Sequence, residues 1–565
     1  MTTLRLRLQS LLSQRLTYNT WGLACRLIEA SWREHPDRFD DAALAALTDD
    51  LSVFPDDLRR APVSWQRLGD RPWTCPLYAL TSGVLLGARD EYAGVDVSFD
   101  DADLPALLAA PWLPRMRHLG LFSGCKLSEA GLQRLLHDDA LLGLTSLSFC
   151  FQPSPFTAQL EALLAAPGMD GLRSLAFHGA AAGPDAGLSA LRRLLTSPTG
   201  RRLSALGLSS NQRHELLDAL IEAPLPSLTA LDVGFSSLPT ATLRALLTAA
   251  TLPALTALTA RHGKLEPDAA SAFEAASLTT LRRLDLHHCD AGAAVGLAIA
   301  QRPAFSRLTH LQAGHNSFGD EVALALASSG CRETLTALDL SQQPLGDDGL
   351  IALVDASGFE HLTALSLALN SSLSAYGFQA LGARRFPALK SLDVHGISAG
   401  DLGVRDLTSG AIMEGLEALN ISSCRGRGDG LASLAACGRG GALRRLDVSL
   451  NGGDDAQVGA LLNTDALPAL RHLNLSRARF TDAGIFESAA GLPSLRSLTL
   501  TGLGRRQSAV AGAIVRNPRL QPALRVSWMA HAPVGALKAA AKPLKLKGLS
   551  KLKKPALIDA LAGAL

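Results

Sequence analysis

Several features that mark common classes of protein are missing from this chain of 565 residues. No apolar run approaches the length of about 18 residues that a membrane-spanning helix needs, and the N-terminus lacks the apolar core of a secretory signal. A phosphate-binding loop, a nucleophile elbow and an H-E-x-x-H sequence are also absent. From the sequence we therefore expect no enzyme activity, no cofactor and no bound metal.

The cysteines form no Cys-x-x-Cys pair, which argues against a disulfide framework or a zinc module. Their spread through the chain favours reduced thiols in a cytoplasm. The Ala-, Leu- and Arg-rich composition is typical of bacteria. The eight cysteines are Cys25, Cys75, Cys125, Cys150, Cys289, Cys331, Cys424 and Cys437.

Aromatic residues make up only 5% of the chain and charged residues 19%, whereas 47% is apolar. A chain of this length exceeds the size at which one hydrophobic core keeps growing, so it must divide into domains or form a linear stack. Because leucine and alanine carry most of the packing, the composition favours many small repeated layers over one large core.

Net charge is also low, at +2, which is too balanced to indicate a nucleic-acid or membrane partner for the whole chain. The charge is unevenly distributed, however. Residues 533–565 hold seven lysines and one aspartate, a net of +6, which leaves −4 on the preceding residues. The sequence therefore combines a basic tail with a mildly acidic body.

The dominant positive feature is an internal repeat, L-x-x-L-x-L, in which the first Leu is numbered position 1 here. Fifteen copies occur, and between Leu281 and Leu470 their spacing is 27 residues. A degenerate sixteenth copy is expected from Leu524. The first positions are residues 116, 144, 172, 203, 228, 255, 281, 308, 335, 362, 389, 416, 443, 470 and 495.

The spacing within the repeat predicts a short strand followed by a helix. Residues at positions 1, 4 and 6 are expected to face inward, and an Asn or Cys at position 9 to satisfy backbone groups where the chain leaves the strand. Ser or Asp then stands where a helix N-cap belongs, as in Leu127–Leu132, Leu345–Leu350 and Phe480–Ile485. The position-9 residues include Asn211, Asn316, Asn370, Asn451, Cys289 and Cys424.

These repeats resemble the ribonuclease-inhibitor-like class of leucine-rich repeats. The resemblance implies an α/β solenoid, a horseshoe with a parallel sheet inside and helices outside, over residues 91–530 with about 15–16 repeats. Residues 1–90, with Trp21, Trp32, Trp65 and Trp73, are interpreted as a helical N-terminal cap or leading domain. Within Tyr92–Phe99 we expect an irregular first strand.

Positions 2, 3, 5, 7 and 8 are expected to line the concave face of the solenoid. Nine of the 14 histidines fall on these 75 positions, where chance would place about two. The densest group comprises Arg261, His262, Asp285, His287, His288, His310, Gln312 and His315. We interpret the group as a protein-binding patch. We favour this over an accidental clustering due to surface composition, and over a metal or catalytic site.

Position 5 is aspartate in alternate repeats. These aspartates are compatible with an acidic binding stripe, or with a residue that is simply common at this position of the repeat. We favour the second interpretation. The five residues are Asp232, Asp285, Asp339, Asp393 and Asp447.

The tail abandons the period and predicts a helix over 534–542, a Leu/Lys linker, and a second helix from Pro555. Residues 533–565 resemble the SAP and Rho-N-terminal-like helix–extension–helix modules. That resemblance implies contact with DNA or RNA phosphates through Lys545, Lys547, Lys551, Lys553 and Lys554. A basic end cap that assists protein docking and contact with an anionic membrane are the alternatives.

The sequence therefore favours a monomeric, non-enzymatic, cytoplasmic interaction scaffold. Its concave face would bind an unidentified protein and its tail would tether it to DNA or RNA. The alternative is a secreted effector or ubiquitin-ligase adaptor that recruits targets, and an enzyme with the repeats as substrate reader is the least favoured.

Overall fold

The computed structural model describes most of the chain and divides it into two compact units. We call residues 16–312 the N-terminal unit, and residues 313–565 together with 1–15 the C-terminal unit. The described residues are 4–5, 8, 18–34, 39, 41–51, 53–54, 59, 61, 75–86, 88–90, 95–96, 98–151, 155–167, 169–179, 186–210, 214–426, 428–529, 531–544 and 553–562.

Short parallel strands, one in each repeat, form an unclosed sheet of 16 strands whose order follows the sequence. In the N-terminal unit they are Gly83–Leu86, His118–Leu121, Ser146–Cys150, Ser174–His178, Ala205–Gly207, Ala230–Asp232, Ala257–Thr259, Arg283–Asp285 and His310–Gln312. In the C-terminal unit they are Ala337–Asp339, Ala364–Ser366, Ser391–Asp393, Ala418–Asn420, Arg445–Asp447, His472–Asn474 and Ser497–Thr499. Two small additional sheets pair Ser237–Leu238 with Lys264–Leu265 in parallel, and Arg89–Asp90 with Val95–Asp96 in antiparallel fashion.

Helices follow the strands. The α-helices of the N-terminal unit are Tyr18–Glu34, Asp41–Leu51, Leu104–Leu108, Glu129–Leu136, Phe156–Ala165, Ala186–Thr196, Pro198–Arg202, Glu215–Glu222, Thr240–Leu247, Ala270–Glu274 and Ala293–Gln301. Those of the C-terminal unit are Asp320–Ser328, Asp347–Asp355, Ala375–Ala383, Gly400–Ser409, Asp429–Ala435, Asp455–Leu462, Gly484–Ser488, Gln507–Arg516, Pro522–Met529, Val534–Ala541 and Lys554–Ala562. Single 3-10 turns are Pro76–Leu80, Leu113–Arg115, Asp139–Leu141, Met169–Gly171, Pro303–Phe305, Gly330–Glu333, Ala411–Met413 and Gly504–Arg506.

The register pairs equivalent residues of successive repeats. Leu258 at position 4 lies between Leu231 and Leu284, which hold the same position in the preceding and following repeats. Leu255 and Ala260, at positions 1 and 6, are buried. The leucine pattern therefore predicts the inward side of the sheet correctly, and positions 3 and 5 face the other way. We call that second side the open face.

The sheet begins earlier than the sequence indicates. Its first strand is Gly83–Leu86, which pairs with His118–Leu121, whereas the expected first strand at 92–99 contains Val95–Asp96, part of a separate antiparallel pair. Gly83–Leu86 is buried at every residue, so it lacks the alternation by which a half-exposed strand is recognised.

Helices precede this strand, as expected. Trp21 is buried and packs edge-to-face on Phe54, with ring centroids 5.2 Å apart. Trp65 and Trp73 lie outside the described residues.

Asparagine at position 9 acts as the sequence predicts. The Asn370 side chain is fully buried. It donates to the carbonyls of Leu340 and Leu367 at 2.8 and 2.7 Å and accepts the N–H of Gln343 at 2.7 Å. One side chain therefore joins two neighbouring repeats. Asn211 lies outside the described residues.

The predicted N-caps are confirmed in part. Ser128 caps Glu129–Leu136 and accepts the N–H of Gly131. In Leu345–Leu350, however, the helix starts at Asp347 after Gly346, which has no capping side chain. The Asp347 carboxylate instead accepts the N–H of Ser374 in the next repeat. The prediction of a local cap was wrong there because the nearest unsatisfied N–H groups belong to the adjacent helix.

The tail contains two helices, as expected. Val534–Ala541 packs against Gln507–Arg516 of the last repeat and against Lys554–Ala562. The second helix begins at Lys554, one residue before the expected Pro555. Within the part of the chain that the structure describes, no helix is both long and apolar enough to cross a membrane.

Candidate protein-binding site

The site is built on a left-handed backbone residue at position 8 of the repeat. The φ angles of Phe235, His262 and His288 are 56°, 55° and 55°. Bonds to the next repeat hold this turn: the N–H of Phe235 donates to the carbonyl of Arg261 at 2.8 Å, and that of His262 to the carbonyl of His287 at 2.8 Å. Because the left-handed region costs a non-glycine residue about 1–2 kcal/mol, these bonds are needed to fix the turn and the direction of its side chain.

Three of these side chains form a stack. The Phe235 and His262 rings lie nearly parallel at 13°, with centroids 4.6 Å apart. His288 follows at 4.8 Å from His262, and His287 approaches the same ring edge-on at 5.9 Å. Phe235 is 51% exposed in spite of its size. The stack is therefore an aromatic strip at the surface, at the carboxyl end of the strands, and not part of the core.

Asp285 positions the turn beneath this stack. Its Oδ1 accepts the N–H of His287, two residues later, at 3.0 Å. The same contact recurs at 2.8–3.1 Å in four other repeats. The pairs are Asp232 with Gly234, Asp339 with Ser341, Asp393 with His395, and Asp447 with Ser449. The recurring position-5 aspartate is thus a turn-forming residue. This agrees with its interpretation as an ordinary feature of the repeat and not as an acidic binding stripe.

Two histidines of the predicted group have lowered pKa values. Partial loss of solvent, followed by the neighbouring His288, His287 and Arg261, lowers the pKa of His262, and Asp285 opposes this. Partial burial, followed by Arg283, lowers the pKa of His310. Both rings therefore favour the neutral form, which stacks without charge repulsion.

The remaining predicted residues lie around the stack or away from it. Arg261 is exposed at position 7. His310 is at the start of its strand, where Thr309 Oγ1 and its Nδ1 are 3.0 Å apart, and Gln312 pairs in register with Asp285. His315 belongs to the C-terminal unit, where its N–H donates to the carbonyl of Ser341 at 2.8 Å.

Phe235 was not predicted as a site residue. The available signal was its repeat position, which it shares with His262 and His288. Glycines at the same position have φ angles of 66°, 72° and 78°, at Gly179, Gly396 and Gly502. Glycine at position 8 in some repeats indicates a left-handed backbone there. In the other repeats the residue at position 8 is therefore the one whose side chain projects from the edge of the sheet.

Cys289 adjoins this site in sequence but belongs to the interior. Its Sγ–H donates to the carbonyl of Ala260 at 3.1 Å, and burial raises the pKa of the thiol to about 12. A protonated, buried thiol is a packing group and not a nucleophile. Among the described residues no group of three His, Cys, Asp or Glu side chains is arranged to hold a metal ion.

Of the predicted nucleic-acid-binding lysines, the structure describes two. Lys553 is exposed, and Lys554 is half-buried at the start of the last helix. Lys545, Lys547 and Lys551 lie outside the described residues.

The strand–helix repeat, its parallel register and its asparagine positions agree with a comparison of the sequence with known families. Residues 333–354 match the family described as "Leucine Rich repeat". The chain has the fold of a leucine-rich-repeat solenoid. Among curated proteins none matches this leucine-rich-repeat sequence.

Two solved structures with leucine-rich repeats are similar. An internalin of Listeria monocytogenes has a TM-score of 0.38 and 17% identity, over 61% of this chain and 86% of that one. A structure of the yeast Rad7 and Elc1 complex has a TM-score of 0.38 and 14% identity, over 84% of this chain and 97% of that one. At these identities and TM-scores neither likeness extends to function.

Proposed function

We propose that this leucine-rich-repeat protein is a non-enzymatic cytoplasmic scaffold that binds a partner protein on the open face of its sheet. The histidine cluster around His262 provides the principal contact, together with Arg261, Asp285, His310 and Gln312. The observation that carries this proposal is the exposed stack of Phe235, His262 and His288. For His315, which belongs to the C-terminal unit, a contact with the partner stays a prediction from the sequence.

The chemistry of the stack suits a protein interface. Aromatic and arginine side chains are enriched where proteins bind each other, and Phe235, His262 and Arg261 provide both kinds. The left-handed turns fix their direction before binding, so less side-chain entropy is lost on association.

The remaining features support the same proposal. All eight thiols are free and buried, in agreement with a reducing compartment. The strand, helix and buried position-9 asparagine within a 27-residue unit are those expected of the ribonuclease-inhibitor-like class.

A second part of the proposal concerns the tail. We infer that Lys545, Lys547, Lys551, Lys553 and Lys554 form a SAP-like phosphate-binding module that tethers the scaffold to DNA or RNA. The packing of Val534–Ala541 against both Gln507–Arg516 and Lys554–Ala562 supports an ordered module there. The exposure of Lys553 beside the last helix supports a contact with phosphate.

The binding surface is tested with His262→Ala/His287→Ala/His288→Ala in the full chain. Partner proteins captured from an extract by the unmodified chain should be lost with this variant. His361→Ala, which alters an exposed histidine just before a position-1 leucine, is the matched control and should retain them. Equal capture by both variants would overturn the histidine site.

The tether is tested by mobility shift with a variant in which five of the seven tail lysines are replaced by glutamine, namely Lys545, Lys547, Lys551, Lys553 and Lys554. Binding to duplex DNA and to single-stranded RNA should weaken, and the dependence of the binding constant on salt should become shallower, because fewer counterions are released. Unchanged affinity at both low and moderate salt would remove the tether from the proposal.

A further inference from the structure

A row of arginines crosses the last three strands of the C-terminal unit. Arg444, Arg471 and Arg496 stand at repeat position 2, each directly before its strand. The register places Arg445 beside His472 and His472 beside Ser497, so the preceding arginines also lie on adjacent strands. At about 4.8 Å between strands, the row spans roughly 10 Å.

The preceding strands show how this row can bind a carboxylate. Glu417 occupies position 2 between Lys390 and Arg444, and its two oxygens lie 3.7 and 3.0 Å from their side-chain nitrogens. One carboxylate thus bridges cations that belong to the strands on either side of it. The strand spacing matches the reach of an acidic side chain between two basic ones.

On the following strands the carboxylate of this pattern is replaced by a cation. Arg471 has Arg444 on one side and Arg496 on the other. Among the described residues the Arg471 side chain has no hydrogen bond or ion pair. By contrast, Arg117, Arg173 and Arg282, at the same repeat position in the N-terminal unit, donate to backbone carbonyls at 2.7–3.1 Å.

Asp447, at position 5 of the repeat that contains Arg444, does not neutralise the row. Its Oδ1 accepts the N–H and hydroxyl of Ser449 at 2.9 and 2.7 Å, and its Oδ2 accepts the Asn474 amide at 2.7 Å. The carboxylate is therefore already engaged by its own turn and by the next repeat.

The charge of the chain is concentrated in the same region. Residues 471–565 hold 16 Lys or Arg and three Asp or Glu, a net of +13, which leaves −11 on the other 470 residues. The basic character noted for the tail therefore extends onto the final repeats, where arginine replaces lysine. Arginine presents a planar pair of donors that fits a carboxylate bidentately.

We propose that Arg471 and Arg496, supported by Arg444, bind the carboxylates of a short acidic segment of the partner protein. A protein segment is favoured over nucleic acid because Glu417 and Asp447 flank the row. A continuous line of phosphates would meet these two acids, whereas two or three acidic side chains can reach the guanidinium groups alone. This inference rests on the proposed function only in taking the partner to be a protein.

The test measures binding of a fluorescein-labelled hexaglutamate peptide by fluorescence anisotropy. The full chain carries glutamine at the same five tail lysines as the tether variant, so that competition of the tail for the peptide is reduced. The charge reversal Arg471→Glu/Arg496→Glu should weaken binding at least about tenfold, since it replaces two attractive contacts by repulsive ones. Arg471→Lys should lose only part of the affinity.

The matched control is Arg519→Glu, which reverses an exposed arginine in the turn between Gln507–Arg516 and Pro522–Met529. It should change peptide affinity less than twofold. Thermal unfolding of each variant shows whether the fold is retained, and Arg471→Lys provides a mild substitution if the double reversal unfolds.

Equal weakening by Arg519→Glu, or no hexaglutamate binding at all, would overturn the acidic-segment site. If a labelled 12-nucleotide single strand binds more tightly than hexaglutamate, and the reversal variant loses this binding, the row is assigned to nucleic acid. That result would also overturn the acidic-segment site. The hexaglutamate assay needs no partner protein from an extract. Failure of the histidine site in the capture experiment is therefore separable from failure of the arginine row.

Discussion

The carboxylate of Asp347 joins one repeat to the next by binding the start of the helix that contains Gly377. Its Oδ1 accepts the N–H groups of Ser374 at 2.9 Å and Gly377 at 3.1 Å, and its Oδ2 accepts the Ser374 hydroxyl at 2.5 Å. The aspartate lies in the first turn of its own helix. It therefore stabilises two helices. Its negative charge interacts favourably with the N-terminal end of its own helix dipole, and its oxygens cap the next helix directly.

Replacing this aspartate should destabilise the C-terminal unit. Asp347→Ala leaves two N–H groups of the next repeat without their acceptor, and we expect a loss of about 1–2 kcal/mol in the free energy of unfolding. Asp348→Ala is the control, since Asp348 is an exposed neighbour in the same helical turn. Urea denaturation followed by circular dichroism compares them, and equal losses would contradict the capping role.

The close approach to Gly377 predicts a second effect. A Cβ at this residue would lie 2.5 Å from Asp347 Oδ1, so Gly377→Ala must displace the cap and should lower the melting temperature. Gly459→Ala, in the helix Asp455–Leu462, meets its nearest atom at 4.0 Å. That substitution should stabilise the protein by about 0.5–1 kcal/mol, because alanine restricts the unfolded chain. A stabilising Gly377→Ala would show that the cap is dispensable.

Buried asparagine should matter more than partly exposed asparagine at the same repeat position. Asn370→Ala leaves the carbonyls of Leu340 and Leu367 and the N–H of Gln343 without a hydrogen-bond partner. Because each unsatisfied buried group costs about 1–3 kcal/mol, this substitution should lower the free energy of unfolding the most. Asn316 is half-buried, and its amide donates to the carbonyls of Ala313 and Gly314 within its own turn. Asn316→Ala should cost clearly less in a thermal-shift comparison, and the reverse order would contradict the argument.

The histidine stack predicts a measurable pKa relationship. Because His288 is one of the groups that lower the pKa of His262, His288→Gln should raise it towards its ordinary value. Proton NMR of histidine-labelled protein measures the titration directly, with His361→Gln as the control that leaves it unchanged. An unaltered His262 titration in His288→Gln would show that the two rings do not interact electrostatically.

The same shift has a defined consequence for stability. A lowered pKa in the folded state means that the unfolded chain binds the proton more tightly. The contribution of His262 to the free energy of unfolding is therefore fully present above its unfolded pKa, near 6.5. It is lost as the pH falls through the folded pKa. The fall in unfolding free energy between pH 7.5 and 5 should therefore be smaller in His262→Gln than in the unmodified chain.

Cysteine reactivity provides an independent check of the interior. Burial raises the thiol pKa of Cys289 and of Cys424 to about 12, and all eight thiols are buried. In the native protein at pH 8 we expect them to react with an aromatic disulfide reagent only at the rate of unfolding, and to react at once in urea. Rapid modification of Cys289 in the folded chain would place it outside the core.

How far the sequence predicts this molecule depends on the range of the interaction involved. The leucines at positions 1, 4 and 6 and the buried Asn370 were predictable, because hydrophobic period and backbone satisfaction act within one repeat and recur in each. Gly83–Leu86 was missed because a fully buried strand shows no alternation. His262, His287 and His288 were predicted to share a face, but Phe235 was not included.

The sequence alone determined the repeated leucine-rich unit, its inward side and the basic tail. These follow from spacing and composition, which are properties of the chain before it folds. Tertiary structure decided which groups meet between repeats: the Asp347 carboxylate with the N–H of Gly377, and the Phe235 ring with the His262 ring. Such contacts join residues about one repeat apart, and their distances depend on strand register and on the left-handed turn at position 8. Only the packed stack fixes both of these.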